Sequence, residues 1–326
     1  MRLVLAAVVA LRHVIALAEL DEFYPLMSVL SSEFAVSGFF VVSGFLVFSA
    51  FKRGDAKRYA LRRCVRIYPA YLAVLIVAVF AGLLSAATQE NVTIPLSEAA
   101  RYLLANAAFL NFIHPSLGNL FADQFSDAVN GALWTIKIEV LFYIIVPVLA
   151  LIVARMTALP VLMMMVAAGV FWPYCVDLVE VALGRELPAS MVNQLPGYLH
   201  LFAAGIALSR ALSGQMTVLA LILLCVGGSV ALELFNPLMP SYYMIIMPLM
   251  IYAVIQTPQI TILKGNDFSY GLYLFHWPVT QFMVMYFKGT MPDAVFFAVT
   301  LAVAVLFSVL SWFLIERPMI RWVGRC

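Results

Sequence analysis

The sequence predicts an all-α polytopic membrane protein: a bundle of about ten transmembrane helices plus one partial or re-entrant segment, in a single domain over residues 1–326. Three observations predict it. The 326 residues are 64% hydrophobic and 11% charged, with a mean hydropathy of +1.01, well above that of a soluble domain. Apolar runs of roughly 16 to 23 residues recur from end to end with short polar breaks, as helices that satisfy their own backbone groups in a bilayer require. The runs lack the alternation of barrel strands. Lys and Arg gather in alternate breaks, the asymmetry that orients spans.

The first span, MRLVLAAVVALRHVIALAEL, ends near Leu20. Its Arg2, apolar run and Ala16-Leu17-Ala18 resemble a signal peptide, but Arg12 and His13 interrupt a core that should be uncharged, so an uncleaved span is expected. An acidic loop from Asp21 to Tyr24 leads to SSEFAVSGFFVVSGFLVFSAF, about Ser31 to Phe51. Lys52, Arg53, Lys57, Arg58, Arg62, Arg63 and Arg66 then oppose only Asp55, which assigns this loop to the cytosol and sends the first helix outward. A third span follows from Ile67 to about Ser85. Residues 101–113 are apolar but too short to cross, and read as re-entrant or interfacial before a polar outer loop, His114 to Asn130.

The next spans end at Arg155, near Tyr174, at Arg210 and near Glu233; the last three cover Tyr242 to Ile255, Phe268 to Phe287 and Ala294 to Ile315. Asp177, Glu180, Arg185 and Glu186 form an external loop; Lys264 and the Glu316, Arg317, Arg321, Arg325 group lie inside. The alternation puts both termini in the cytosol. No inverted repeat of the transporter kind is visible, and no stretch outside the spans reads as a soluble domain. A net charge of +2 gives no reason to expect nucleic acid, and Cys64, Cys175, Cys225 and Cys326 lack metal or redox spacing, so neither metal nor disulfide is expected.

Ionisable residues inside a bilayer are costly and mark function. Arg2 and His13 are eleven residues apart, about three turns, which puts both on one helix face roughly 16 Å apart along the axis. His13 titrates near working pH and is a candidate base; the plainer reading is an interhelical hydrogen bond. Glu139 lies about 12 Å into its span from the outer side, a depth close to that of His13. Arg12 or His13 is its expected cationic partner, and a purely structural pair with Arg12 or Lys137 is the competing reading.

Arg62 and Arg66 share a helix face at i,i+4 spacing and form, with Arg63, a fork suited to phosphates; the competing reading is topology and attraction to anionic lipid. His276 is ringed by Tyr270, Tyr273 and Trp277, while Pro278 should free the carbonyl of Leu274. Ser37-Gly38 and Ser43-Gly44 are small enough for close approach of a second helix or of a thin ligand chain.

These residues fall into blocks: Arg2 with His13, FFVVSGFLVF (39–48), RRCVRIYPAY (62–71), LWTIKIEVLFYIIVPVL (133–149), LFAAGIAL (201–208), SYGLYLFHWPV (269–279) and IERP (315–318). In order and spacing they resemble the acyltransferase 3 family of bacterial inner-membrane acyltransferases, which O-acylate cell-surface and secreted carbohydrates. The resemblance implies acyl-CoA, acetyl-CoA first, as co-substrate, a carbohydrate acceptor and no bound cofactor. It implies His13 as general base polarised by Glu139, with Arg2 in the catalytic set. Arg62, Arg63, Arg66 and Ser43 would hold acyl-CoA, and Arg12, Trp134, Tyr143 and His276 would support the acceptor.

The chain departs from the family at Ala35-Val36-Ser37, where an acidic residue is common, and in Arg12. It looks like the stand-alone type, multi-pass in the inner membrane. A proton-coupled transporter or glycan flippase, with His13 and Glu139 as relay, is the rival reading, separable by acceptor-dependent release of CoA.

Overall fold

In the computed structural model, residues 1–51, 55–236, 240–257 and 265–325 are described. Lys52, Arg53 and Lys264, used above for topology, and Cys326 lie outside them. The described residues contain helices and turns but no strand. In chain order the helices are α1 (Arg2–Leu17), α2 (Tyr24–Met27), α3 (Ser32–Ala50), α4 (Ala56–Thr88), α5 (Leu96–Ala107), α6 (Trp134–Arg155), α7 (Ala158–Leu183), α8 (Leu195–Leu212), α9 (Val218–Phe235), α10 (Tyr243–Gln256), α11 (Ser269–Phe287), α12 (Asp293–Ser311) and α13 (Arg317–Arg325). A π-helical turn, Trp312–Glu316, joins the last two.

Among the described residues, six segments are long and apolar enough to cross a membrane: α3, α4, α6 with its entry turn, α7, α9, and the run from Asp293 to Gly324. The other expected spans miss that measure for two reasons. Helices α1 and α10 have 16 and 14 residues. Helices α8 and α11 are long enough but carry His200 and Arg210, or His276, Thr280 and Gln281. Both helices are largely buried, so His200, His276, Thr280 and Gln281 meet protein rather than lipid, while Arg210 is half-buried.

Three boundaries differ from expectation. The basic stretch after α3 is not a loop: Lys57, Arg58, Arg62, Arg63 and Arg66 form the first turns of α4, because the Ala, Lys, Arg and Leu there are strong helix formers and nothing before Pro69 opposes them. The sixth span does not stop at Tyr174; α7 runs to Leu183 through Asp177 and Glu180 and ends at Gly184, whose φ of 63° is the left-handed cap that releases a helix. The short apolar segment near 101–113 is instead α5, ending at Ala107, followed by turns.

The chain divides into two compact units built from separate stretches. Unit 1 comprises Met1, Val36–Tyr59 and Ile138–Ile260; unit 2 comprises Arg2–Ala35, Ala60–Lys137 and Thr261–Cys326. Unit 1 is organised on α8, where every residue from His200 to Leu208 is buried. A Cβ on Gly44 would run into the Phe202 carbonyl, and one on Gly205 into the Val41 carbonyl, so α3 and α8 touch backbone to backbone. Gly44 of FFVVSGFLVF therefore serves helix packing. Phe142 of α6 stacks on Phe202 at 3.6 Å between ring centroids.

Unit 2 is organised on α11, buried almost continuously from Ser269 to Gln281. Helix α5 is tied to α4 by Tyr71, whose hydroxyl donates to the Asn106 carbonyl at 2.8 Å, and Asn106 in turn donates to the carbonyls of Tyr102 and His114, both at 2.9 Å.

Candidate functional site

Helix α1 delivers His13 to His276 of α11: Nδ1 of the first lies 2.8 Å from Nε2 of the second. The direction of that bond follows from the other end of the chain of bonds. His276 Nδ1 is 3.1 Å from the Leu272 carbonyl, which can only accept, so Nδ1 carries the proton and Nε2 is an acceptor. His13 must then donate from Nδ1, which leaves its Nε2 with a lone pair. His276 is fully buried and His13 partly accessible, so the more accessible ring keeps the free nitrogen lone pair and the buried one fixes its tautomer. The rings are stacked within 10°, and Trp277 closes one side with its ring centroid 4.8 Å from that of His13.

Pro278 frees the carbonyl of Leu274, as the sequence indicates, and the structure supplies the donor: Asn130 Nδ2 at 2.9 Å. Asn130 also accepts from Ala132 N at 3.2 Å, capping the 3₁₀ turn Gly131–Leu133 that starts α6. Around it, Trp277 Nε1 donates to the Ala128 carbonyl at 3.0 Å, and Gln281 Nε2 donates to Ser126 and Ala128 at 2.6 and 2.9 Å. The polar stretch before α6 is thus stitched over the histidine pair. Gly131 makes room for it, since a Cβ there would meet the Trp277 ring at 2.5 Å. Sequence reasoning missed Asn130 and Gln281. The available signal was a polar residue opposite a proline-broken helix, and it named no partner.

Arg66 departs from its expected role. Its guanidinium lies 2.5 Å from Asp267 and 3.6 Å from Glu316, so its charge is committed to two carboxylates. Ser269 holds the other oxygen of Asp267 at 2.5 Å, and Ser311 donates to Glu316 at 2.9 Å. Burial pushes the Asp267 carboxyl up, but Arg66, Arg2 and the Ser269 bonds outweigh it and hold the group below its usual range. Arg2 thus lies within electrostatic reach of this cluster. Arg62 is exposed and Arg63 half-buried, while Arg66 is the member of the expected fork that is paired with carboxylates. The cluster joins RRCVRIYPAY, SYGLYLFHWPV and IERP, three of the blocks read from the sequence.

Arg12 is also reassigned. Its Nη1 donates to the carbonyls of Met27 and Leu30 at 2.7 and 2.9 Å, strapping α1 to the chain around the end of α2, where helix carbonyls lack partners. These two bonds make Arg12 an anchor of α1. In unit 1, Glu139 accepts from the Ser43 hydroxyl at 3.2 Å and from the Tyr143 hydroxyl. Ser43 and Tyr143, expected on acyl-CoA and acceptor, meet on one carboxylate oxygen. The Nδ1 proton of His13 goes to His276, because that nitrogen has one hydrogen to give. Trp134 is the half-buried first residue of α6, and Lys137 sets its ammonium 4.6 Å from the Phe112 ring centroid.

No group of three or more His, Cys, Asp or Glu among the described residues could hold a metal ion. The structure thus brings together an interhelical histidine pair, His13 and His276, in a helical protein with apolar spans. The acyltransferase 3 family model, an acyltransferase domain, matches residues 1–314. The chain belongs to that family and is a membrane acyltransferase. No curated protein and no solved structure matches it.

Proposed function

We propose that the protein transfers an acyl group, acetyl first, from cytosolic acyl-CoA to a hydroxyl of a cell-surface or lipid-linked carbohydrate, in the bacterial inner membrane with both termini cytoplasmic. The observation that carries this reading is the bond from His13 Nδ1 to His276 Nε2, 2.8 Å long, which leaves His13 Nε2 unprotonated. That nitrogen takes the proton of the acceptor hydroxyl as its oxygen attacks the thioester carbonyl. When the tetrahedral intermediate collapses, the C–S bond breaks and the imidazolium returns the proton to the departing CoA thiolate. The products are an ester and free CoA. General-base help of this kind is worth about 10² to 10⁴-fold.

His276 and the Leu272 carbonyl hold the tautomer and share the charge that His13 gains. Arg2, Arg62 and Arg63 are the cations proposed for the CoA phosphates; Arg66 is the anchor that sets the turn on which Arg62 and Arg63 stand. Glu139, with Ser43 and Tyr143, is assigned to the acyl or acceptor group as a hydrogen-bonding cluster. The test is release of CoA thiol from acetyl-CoA by the purified, reconstituted protein with and without a carbohydrate acceptor. Acceptor-dependent release, lost in His13→Ala while the protein still purifies folded, is the expected result. A His13→Ala protein that acylates at near wild-type rate overturns the assignment.

A further inference from the structure

The helical run that ends the chain is longer than a bilayer core needs. From Asp293 to Gly324 it has 32 residues, which at 1.5 Å each is about 48 Å, against about 30 Å of hydrocarbon and 40 to 45 Å with headgroups. Once α12 and the π-turn have filled the hydrocarbon, α13 stands in the headgroup layer. Its sequence suits that layer. At 100° per residue, Arg317 and Arg321 share one face, while Met319, Trp322 and Val323 share the opposite one.

The protein covers only part of the apolar face: Val323 is 3% exposed, but Trp322 is 57% exposed. Neither Arg317 nor Arg321 has an ion pair among the described residues; Arg317 lies 5.5 Å from the Phe313 ring centroid, and that contact leaves guanidinium N–H groups for oxygen acceptors. Glu316, the acid that would offset them, is buried and bound to Arg66 and Ser311.

We infer that α13 is a docking surface for anionic phospholipid, with Arg317 and Arg321 on the headgroup phosphates and Trp322 at the boundary with the acyl chains. Charge complementarity selects this occupant: the helix offers two unpaired cations beside an exposed indole at the depth where a bilayer offers phosphate oxygens beside hydrocarbon. The Arg66 bridge to Glu316 fixes the start of the helix to α4, so lipid bound there bears on the same turn of α4 that carries Arg62 and Arg63.

The experiment uses the full chain in vesicles of unbrominated phosphatidylcholine that carry a rising mole fraction of either brominated phosphatidylglycerol or brominated phosphatidylcholine. The emission of Trp322 is taken as the difference between wild type and Trp322→Phe. Phosphatidylglycerol is expected to half-quench it at on the order of tenfold lower mole fraction than phosphatidylcholine, because two surface cations enrich anionic lipid locally. Arg317→Gln/Arg321→Gln should bring the two lipids together, and Arg317→Lys/Arg321→Lys should keep them apart. Equal quenching by both lipids in the wild type, no quenching by either, or a preference untouched by the Gln pair overturns the inference. A lysine pair that loses the preference also overturns it.

Discussion

Replacing His276 by Phe tests the histidine pair directly. The position is fully buried, and a phenyl ring fills the space of the imidazole while removing both of its nitrogens. The Nδ1 proton of His13 then has no acceptor, and nothing fixes which of its nitrogens is basic. An unpaired donor in a water-poor site costs about 1 to 3 kcal/mol. If that cost falls on the reacting arrangement, at about 1.36 kcal/mol per tenfold, kcat drops by roughly 5- to 150-fold. His13→Ala removes the base itself and should cost the larger factor of about 10² to 10⁴.

Because His276 acts through His13, the two losses should not add: the double variant should be no slower than His13→Ala alone. The assay is acceptor-dependent CoA thiol release in vesicles, with thermal unfolding in detergent as the folding control. A folded His276→Phe protein with wild-type kcat, or a double variant slower than His13→Ala by the full single-variant factor, would refute the coupling.

Two further outcomes follow from packing and charge. Gly205→Val should lower thermal stability and the yield of folded protein, whereas Gly184→Asn, at a left-handed cap with open space around it, should change the melting temperature little. The Asp267 carboxyl is held below its unfolded value of about 3.9, so its contribution to stability is intact above that pH and disappears as pH falls through the lower folded value. The wild type should accordingly lose melting temperature on acidification below about pH 4 more steeply than Asp267→Asn, which starts lower and has no such charge to lose.

Much of the helical plan was legible in the residues. Apolar run length and the basic clusters located α3, α6, α9 and α12 to within a few residues, since a span must be continuous in sequence to satisfy its own backbone. Helix stops that rest on geometry were less visible. Asp177 and Glu180 look like a loop by charge, yet α7 continues past them because only Gly184 offers the left-handed turn. The basic stretch after α3 reads as a surface loop by composition and is helix by propensity.

The site divides in the same way. Sequence by itself determined which residues are costly in a bilayer, that Arg2 and His13 share a face of α1, and that Pro278 leaves a carbonyl of α11 needing a donor. Each of these depends on helical spacing or on a single residue's chemistry. Only the tertiary structure decided who meets whom: His276 on His13, Asn130 on Leu274, Arg66 between Asp267 and Glu316, and Arg12 on the carbonyls near α2. Those pairings join residues as far apart as 263 positions. Helix periodicity sets a side chain's face and depth but carries no information about which distant helix packs beside it.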